Sequence, residues 1–159
     1  MTQYPHGAKT RCHAFTAQFA GKACFADGRP EYLPHAYPQN CVVYTGTHDN
    51  NTTQGWWRAA THAERGAVKA YVGPVGERPC WPLIRATAAS VAQLALAPAQ
   101  DLLELGSEAR MNTPSVATGN WGWRATVGAW TAEIAERLAA ITEVTDRNND
   151  PLGEREEGA

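Results

Sequence analysis

The sequence lacks three features that would place it in a specialised class of proteins. Its 159 residues contain no long apolar run, whereas a membrane helix needs roughly 18 such residues, and the N-terminus has no apolar core typical of a signal peptide. The formal net charge of -2 provides no basic surface for nucleic acid. These absences predict a cytoplasmic protein that binds neither a membrane nor nucleic acid.

A metal centre is also disfavoured by the cysteine pattern. Cys12, Cys24, Cys41 and Cys80 are irregularly spaced, form no CxxC pair, and do not combine with the nearby histidines at zinc-finger spacing. We therefore expect free thiols and no cofactor. The hydrophobic content of 43% is ordinary for a globular domain, but the six tryptophans are unusual. They fit either core packing or stacking on sugar rings, whose C–H face is apolar, and their number alone does not decide between the two.

Two short apolar runs predict buried strands. Residues 1–28 show no sustained period and are expected to be irregular, and residues 29–40 hold three prolines and predict an extended loop. The β-branched and aromatic run CVVYTG follows at 41–46, and LALAPA follows at 94–99. Both runs are continuous rather than alternating, which is typical of strands in a parallel sheet.

Helical periodicity occupies most of the remaining chain. A helix is predicted from Gln54 to Tyr71, a second over 81–92, and a short helical turn at Asp101–Leu105. A last amphipathic helix is predicted from six apolar residues, namely Trp123, Val127, Trp130, Ile134, Leu138 and Ile141. Residues 145–159 read as a charged, frayed tail. Strands separated by helices indicate an α/β fold with parallel strands.

Polar clusters follow both predicted strands. His48 and Asp49 come just after the first strand, and the loop after the second carries Glu108, Arg110, Asn112 and Asn120. Loops at the carboxyl ends of parallel strands converge, so both clusters are expected to open on the same face. The stretch THDNN also suits a helix N-cap, and local physics leaves the cap and the functional site equally open.

Two long motifs carry a family resemblance. YLPHAYPQNCVVYTGTHDNNTTQGWW and LAPAQDLLELGSEARMNTPSVATGNWGWR resemble C-terminal motifs of the 4-alpha-glucanotransferases called amylomaltase or disproportionating enzyme. The resemblance runs from about Phe25 to Leu138. It implies an α/β chain that forms the C-terminal part, about the last two strand–helix units, of a (β/α)8 TIM barrel. The implied reaction transfers α-1,4-glucan segments between maltooligosaccharides by a retaining mechanism, with no metal.

The resemblance also assigns roles to individual residues. It implies that Asp49 is a third carboxylate, which binds ring hydroxyls of the sugar at the cleavage point, and that His48 contacts the same sugar. Asn112, Asp27 and Arg110 are the implied substrate-binding residues, although Arg110 suits a bracing role in the loop equally well. Trp56 and Trp57 are expected to pack in the outer layer rather than to touch sugar.

The sequence departs from the family pattern at three positions and in its extent. Ala36 replaces a usual asparagine, Asn51 a usual acidic residue, and Ser115 a usual glycine, which would strain a turn if that position needs a positive φ. The resemblance places the nucleophile and the acid/base upstream, where this chain has no matching motif, and a complete barrel needs roughly 250 residues.

Three interpretations of the function follow from this. In the first, residues 25–144 are the C-terminal part of a transferase barrel, preceded by a poorly specified stretch (1–24) and followed by the tail, and associate with the missing part of the barrel. In the second, the chain is a non-catalytic truncated remnant that binds oligosaccharide weakly at most. In the third, the chain is an unrelated α/β binding module.

Overall fold

Three short strands lie side by side in a parallel sheet. The computed structural model describes residues 11–14 and 33–148, and in this part the strands β1 (Arg11–Ala14), β2 (Cys41–Tyr44) and β3 (Leu94–Leu96) pair in the order β1-β2-β3. Val43 of β2 pairs with His13 on one side and with Ala95 on the other. Parallel strands need long crossover connections, and the connection from β2 to β3 is made of helices. The predicted α/β class with parallel strands is confirmed.

The strands differ in their burial and in whether the sequence pattern predicts them. β2 is the central strand, and its Val43 is 0% exposed. The prediction that residues 94–99 form a buried strand is wrong in its burial, because Leu94 is 48% and Leu96 40% exposed at the edge of the sheet. The expectation that residues 1–28 are irregular is wrong at β1, whose sequence RCHA has no β-branched residue to indicate a strand.

The helices follow the predicted order with different bounds. The described residues contain α1 (Thr53–Ala59), α2 (His62–Val72), α3 (Cys80–Ala88), α4 (Ala99–Leu102) and α5 (Ala132–Val144), with 3-10 turns at Pro34–Ala36 and Ser107–Ala109. No helix within these residues is long and apolar enough to cross a membrane.

The single helix predicted from Gln54 to Tyr71 is in fact two helices. The backbone leaves the helical conformation at Ala60, and Thr61 caps α2 with a reciprocal pair of hydrogen bonds. Thr61 Oγ1 accepts the N–H of Glu64 at 3.2 Å, and the Glu64 carboxylate accepts the N–H of Thr61 at 2.7 Å. The extended backbone at Ala60 ends α1 and the capping box starts α2, without interrupting the apolar spacing.

The main apolar cluster lies between the helices of the β2–β3 connection. Leu33, Trp57, Val68, Val75 and Leu83 form it, and Trp56 packs against it. Trp57 is 1% exposed, and its indole N–H donates to the carbonyl of Gly76 at 3.1 Å. The expected packing role of both tryptophans is confirmed.

The last helix starts later than predicted and has little cover. α5 begins at Ala132, so the prediction that Trp123, Val127 and Trp130 lie on a helix is wrong. In this helix, which is described over its full length, no residue is buried. Its contact with the rest of the chain includes the guanidinium of Arg137, which lies 4.4 Å from the ring centroid of Trp81 on α3.

The chain beyond α5 is anchored where a frayed tail was expected. Arg147 donates to the carbonyls of Ala88 at 2.5 Å and of Ser90 and Ala92 at 2.9 Å. These carbonyls lie at and beyond the carboxyl end of α3, where a guanidinium satisfies groups that have no partner within the helix. The expectation of fraying from residue 145 is therefore wrong at Arg147, while residues 149–159 lie outside the described part.

Candidate functional site

The candidate site begins in the loop between β2 and α1. Thr52, rather than Asp49, caps α1, because its hydroxyl accepts the N–H of Gly55 at 3.0 Å. Asn50 closes a turn by accepting the N–H of Thr47 at 2.8 Å. The capping and turn functions of THDNN are thus performed by the neighbours of His48 and Asp49. The side chains of these two residues remain 55% and 51% exposed.

The second loop meets the first at Asp49. The amide of Asn112 donates to Asp49 Oδ1 at 2.6 Å, and the backbone N–H of Asn112 donates to the carbonyl of His48 at 3.2 Å. The two polar clusters are therefore on the same face of the sheet, as their positions after parallel strands predicted. By donating to Oδ1, the Asn112 amide fixes the orientation of the Asp49 carboxylate.

Arg110 braces both loops through backbone atoms. Its Nη2 donates to the carbonyl of Asp49 at 2.6 Å, and its Nε donates to the carbonyl of Asn112 at 2.8 Å. These contacts correspond to the bracing alternative for Arg110. They also place a guanidinium beside the Asp49 backbone, which adds positive potential where an anionic side chain projects.

His48 lies between a carboxylate and an indole. Its Nε2 is 3.4 Å from Asp49 Oδ1, and its ring centroid is 5.1 Å from that of Trp121, with an interplanar angle of 38°. The imidazole thus has an aromatic neighbour on one side and an acceptor on the other. We define the His48–Asp49 cluster as His48, Asp49, Arg110 and Asn112.

A cavity of about 200 Å³ opens next to this cluster. It is lined by residues of both loops and of α4, namely Gly46, Thr47, His48, Asn50, Asn51, Thr52, Pro98, Gln100, Asp101, Arg110, Met111 and Trp121. Its volume is below the roughly 300–1,000 Å³ of pockets that enclose whole small molecules. The cavity therefore suits one small ring rather than a long ligand.

Asp101 is a structural element of the site that sequence reasoning missed. It is 1% exposed, and its carboxylate accepts hydrogen bonds from the hydroxyl of Thr45 at 2.5 Å, the N–H of Thr53 at 2.8 Å and the hydroxyl of Thr53 at 2.7 Å. The sequence placed Asp101 only at the start of a helical turn. The available signal was an isolated acid within the apolar stretch LALAPAQDLL, which begins with the second predicted strand.

The other polar residues of the second loop brace the loop itself. Asn120 accepts the N–H of Thr113 at 2.8 Å and donates to the carbonyl of Val116 at 2.7 Å. Arg124 donates to the carbonyl of Trp121 at 2.9 Å. Glu108 accepts the N–H of Gly106 at 2.8 Å, and the backbone N–H groups of Glu108 and Gly106 lower the pKa of its carboxyl.

Two predictions concern groups that play no part in this geometry. Asp27, the remaining candidate substrate-binding residue, lies outside the described residues. Within the described ranges, no group of three or more His, Cys, Asp or Glu side chains could hold a metal ion.

Burial, reinforced by the nearby carboxylates of Asp101 and Glu104, raises the pKa of the Cys80 thiol. Cys80 is therefore a buried neutral thiol.

Two residues that depart from the family pattern, Asn51 and Ser115, have identifiable structural roles. Asn51 donates to the hydroxyl of Ser107 at 2.9 Å and so joins the first loop to a 3-10 turn of the second. Ser115 has a φ of 67°, so the suspected need for a positive φ at this position is confirmed. Gly55 allows a close approach, because a Cβ there would lie 2.4 Å from Ser107 Oγ.

Comparison with known proteins places the chain in a family. The family profile described as 4-alpha-glucanotransferase matches residues 15–129. This chain belongs to the 4-alpha-glucanotransferase family. It is 46% identical over 132 residues to the enzyme of that name from Thermus thermophilus and 41% identical over 123 residues to the one from Clostridium butyricum. Those matches cover 77% and 76% of this chain but 26% and 25% of the relatives.

A solved structure of a 4-alpha-glucanotransferase also matches this chain over only part of its own length. The structure of amylomaltase from Streptococcus agalactiae in complex with acarbose superposes with a TM-score of 0.77 at 28% sequence identity. The match covers 86% of this chain and 27% of the amylomaltase chain. The chain thus spans about a quarter of the relatives it matches, as an α/β portion of their fold.

Proposed function

We propose that this chain contributes the sugar-binding loops of a retaining 4-alpha-glucanotransferase, as part of a (β/α)8 barrel in which β2 and β3 begin the seventh and eighth strand–helix units and β1 belongs to the preceding one. The observation that carries the proposal is the 2.6 Å hydrogen bond from the Asn112 amide to Asp49 Oδ1. It fixes an exposed carboxylate between two loops that follow neighbouring parallel strands, next to a cavity. Catalytic groups of barrel enzymes occupy this position.

Asp49 is the residue to which we assign transition-state stabilisation. One carboxylate oxygen is oriented by Asn112, so the other remains directed to hydroxyls of the sugar at the cleavage point. The ring flattens toward an oxocarbenium ion in this reaction. A fixed acceptor that matches the flattened ring binds the transition state more tightly than the ground state and lowers the barrier. His48 supplies a neighbouring contact to the same sugar.

Arg110 and Asn112 have a positioning role in this proposal, in addition to any direct contact with the substrate. Arg110 holds the backbones of Asp49 and Asn112 at 2.6 and 2.8 Å, so that the two loops move as one unit. Pre-organisation of this kind removes the need to reorganise the site during the reaction. The substrate we propose is a maltooligosaccharide, which is chemically related to the acarbose bound to the Streptococcus agalactiae relative.

The two reacting carboxyl groups are assigned to the remainder of the barrel. Retaining chemistry needs a nucleophile and an acid/base about 5–5.5 Å apart. Among the described residues that line the cavity, the only carboxylate is that of Asp101, which is buried and already accepts three hydrogen bonds. This observation favours a second candidate function for the 159 residues alone, namely oligosaccharide binding without turnover.

A segment exchange tests the first proposal. Residues 25–144 would replace the matching segment of the Thermus thermophilus 4-alpha-glucanotransferase, and glucose release from maltotriose would be measured. We expect the chimera to be active. Because Asp49 acts in the transition state, Asp49→Asn is expected to lower kcat by roughly 100-fold or more with a smaller effect on KM.

The matched control is Glu136→Gln, which removes an exposed carboxylate on α5 away from the cavity. It should leave both kinetic constants within about twofold. A chimera in which Asp49→Asn is as active as Glu136→Gln would contradict the role assigned to Asp49. Glucose release by the unmodified 159-residue chain would contradict the assignment of the reacting pair to other segments.

A further inference from the structure

Trp121 has a backbone conformation that its burial does not explain. Its φ is 62°, in the left-handed region that is unfavourable for a bulky side chain, and the residue is 54% exposed. A strained residue in a core is compensated by packing, but more than half of the Trp121 surface has no such compensation. Strain that the surroundings maintain at an exposed residue is a feature of ligand-binding segments.

Three contacts hold the backbone around Trp121 in place. Its N–H donates to the carbonyl of Met111 at 2.7 Å, and its carbonyl accepts from Arg124 at 2.9 Å. The preceding residue, Asn120, joins Thr113 to Val116 through its side chain. Trp121 is therefore fixed to the same loop that carries Arg110 and Asn112.

The indole of Trp121 forms part of the wall of the candidate cavity. Its ring lies against the imidazole of His48, with 5.1 Å between the centroids, and both residues line the cavity of about 200 Å³. The cavity lining thus has an imidazole at His48 and an apolar ring at Trp121, and the Asp49 carboxylate lies beside the lining, 3.4 Å from His48 Nε2. A pyranose has the matching division, since its hydroxyls project from the rim and its C–H groups form an apolar face.

We propose that Trp121 is a carbohydrate-binding residue on which the apolar face of a pyranose stacks while the His48–Asp49 cluster holds the hydroxyls. This inference rests on the proposed function and adds a specificity determinant to it. The indole selects a ring with an exposed C–H face, and the fixed backbone of Trp121 reduces the ordering that binding requires. The stack also restricts the orientation of the ring relative to Asp49.

The test uses the 159-residue chain labelled with 5-fluorotryptophan and titrated with maltotriose. The Trp121→Phe variant assigns the Trp121 fluorine resonance. Trp130 is the matched control, because it has the same exposed fraction of 54% and does not line the cavity. We expect the Trp121 resonance to shift upon addition of maltotriose and that of Trp130 to remain in place.

Affinities of variants complete the test. Trp121→Ala is expected to weaken maltotriose binding about tenfold, Trp121→Phe to restore part of the affinity, and Trp130→Ala to leave it within about twofold, since an aromatic face contributes on this order. Absence of any resonance change with maltotriose would overturn both this inference and the proposed function. A shift of the Asn112 side-chain amide, with an unmoved Trp121 resonance and wild-type affinity in Trp121→Ala, would overturn only the stacking role. Weaker binding in Trp121→Ala with wild-type binding in Asp49→Asn would support stacking and contradict the proposed function.

Discussion

At the scale of single residues, Asp101 connects the two ends of the loop that carries His48 and Asp49. Its carboxylate accepts hydrogen bonds from Thr45, which precedes His48 and Asp49 in the chain, and from Thr53, which follows them. A buried carboxylate is tolerated only when its lone pairs are satisfied, and here three donors satisfy them. The position of His48 and Asp49 therefore depends on an acid that lies in a different segment of the chain.

Removal of the Asp101 carboxylate should destabilise the fold. We expect Asp101→Ala to lower the free energy of unfolding by about 3 kcal/mol, because it leaves three buried donors without an acceptor. Asp101→Asn should cost less, since its amide oxygen still accepts one hydrogen bond. Urea unfolding followed by circular dichroism checks this prediction. Asp146→Asn at the end of α5 is the control, and a loss below about 1 kcal/mol in Asp101→Ala would refute the role of Asp101.

Ser115 should be improved by glycine. Its φ of 67° is unfavourable for serine and neutral for glycine, so Ser115→Gly is expected to raise the free energy of unfolding by roughly 0.5–1 kcal/mol. Ala117→Gly in the same loop is the control, because Ala117 has no positive φ and glycine there only adds freedom to the unfolded chain. Thermal unfolding measures both variants. Equal effects of the two variants, or a lower free energy of unfolding in Ser115→Gly, would show that φ does not determine the cost at residue 115.

At the scale of secondary-structure elements, sequence periodicity predicted which segments are regular better than where they end. The helix predicted from Gln54 to Tyr71 has one continuous apolar spacing, which spans both α1 and α2. The break between these two helices depends on Thr61, which caps α2. The sequence did carry a signal, since Thr61 and Glu64 have the spacing of a capping box. Trp123, Val127 and Trp130 match helical spacing too, but Gly128 has a φ of 80° and Thr131 is the N-cap of α5.

The capping box makes a pH-dependent contribution that can be measured. The hydroxyl of Thr61, followed by its backbone N–H, lowers the pKa of Glu64. A carboxyl with a lowered pKa in the folded state stabilises the fold above its ordinary pKa, and this stabilisation is lost as the pH falls through the lowered value. Thr61→Ala is therefore expected to cost about 1 kcal/mol at pH 7 and less at pH 3.

Urea unfolding at the two pH values checks the capping prediction. The exposed Thr118→Ala is the control for the loss of a threonine hydroxyl, and it should have little effect at either pH. A cost of Thr61→Ala that is the same at pH 3 as at pH 7 would mean that the Glu64 carboxylate does not take part in the cap.

At the scale of the whole molecule, several large apolar side chains on β3 and on or near α5 are exposed. Leu94 and Leu96 on β3, Trp130 before α5, and Leu138 and Val144 on α5 are all exposed. An edge strand with apolar side chains is normally covered. The chain matches 27% of the Streptococcus agalactiae amylomaltase, and we propose that further segments of the family fold cover these surfaces.

The sequence predicted that the two polar loops meet better than it predicted the sheet. His48, Asp49 and Asn112 follow strands, and the convergence of loops at strand ends was enough to predict that they meet. β1 was missed because RCHA has no strand-forming pattern, and the burial of β3 was wrong because burial depends on a neighbour rather than on the strand itself. Asp101 was missed because the satisfaction of a buried carboxylate depends on residues distant in sequence.

The most direct test of the central claim is an NMR titration of the 159-residue chain with maltotriose, with the side-chain amide of Asn112 as the reporter. We expect this resonance to shift with maltotriose. We also expect Asp49→Asn, which removes the charge of the hydrogen-bond partner of Asn112, to raise the Kd for maltotriose at least about tenfold. The Gln93 side-chain amide, on an exposed residue that does not line the cavity, is the internal control. An unmoved Asn112 amide at saturating maltotriose, or an equal response in Asp49→Asn, would contradict the claim that the His48–Asp49 cluster binds an α-glucan.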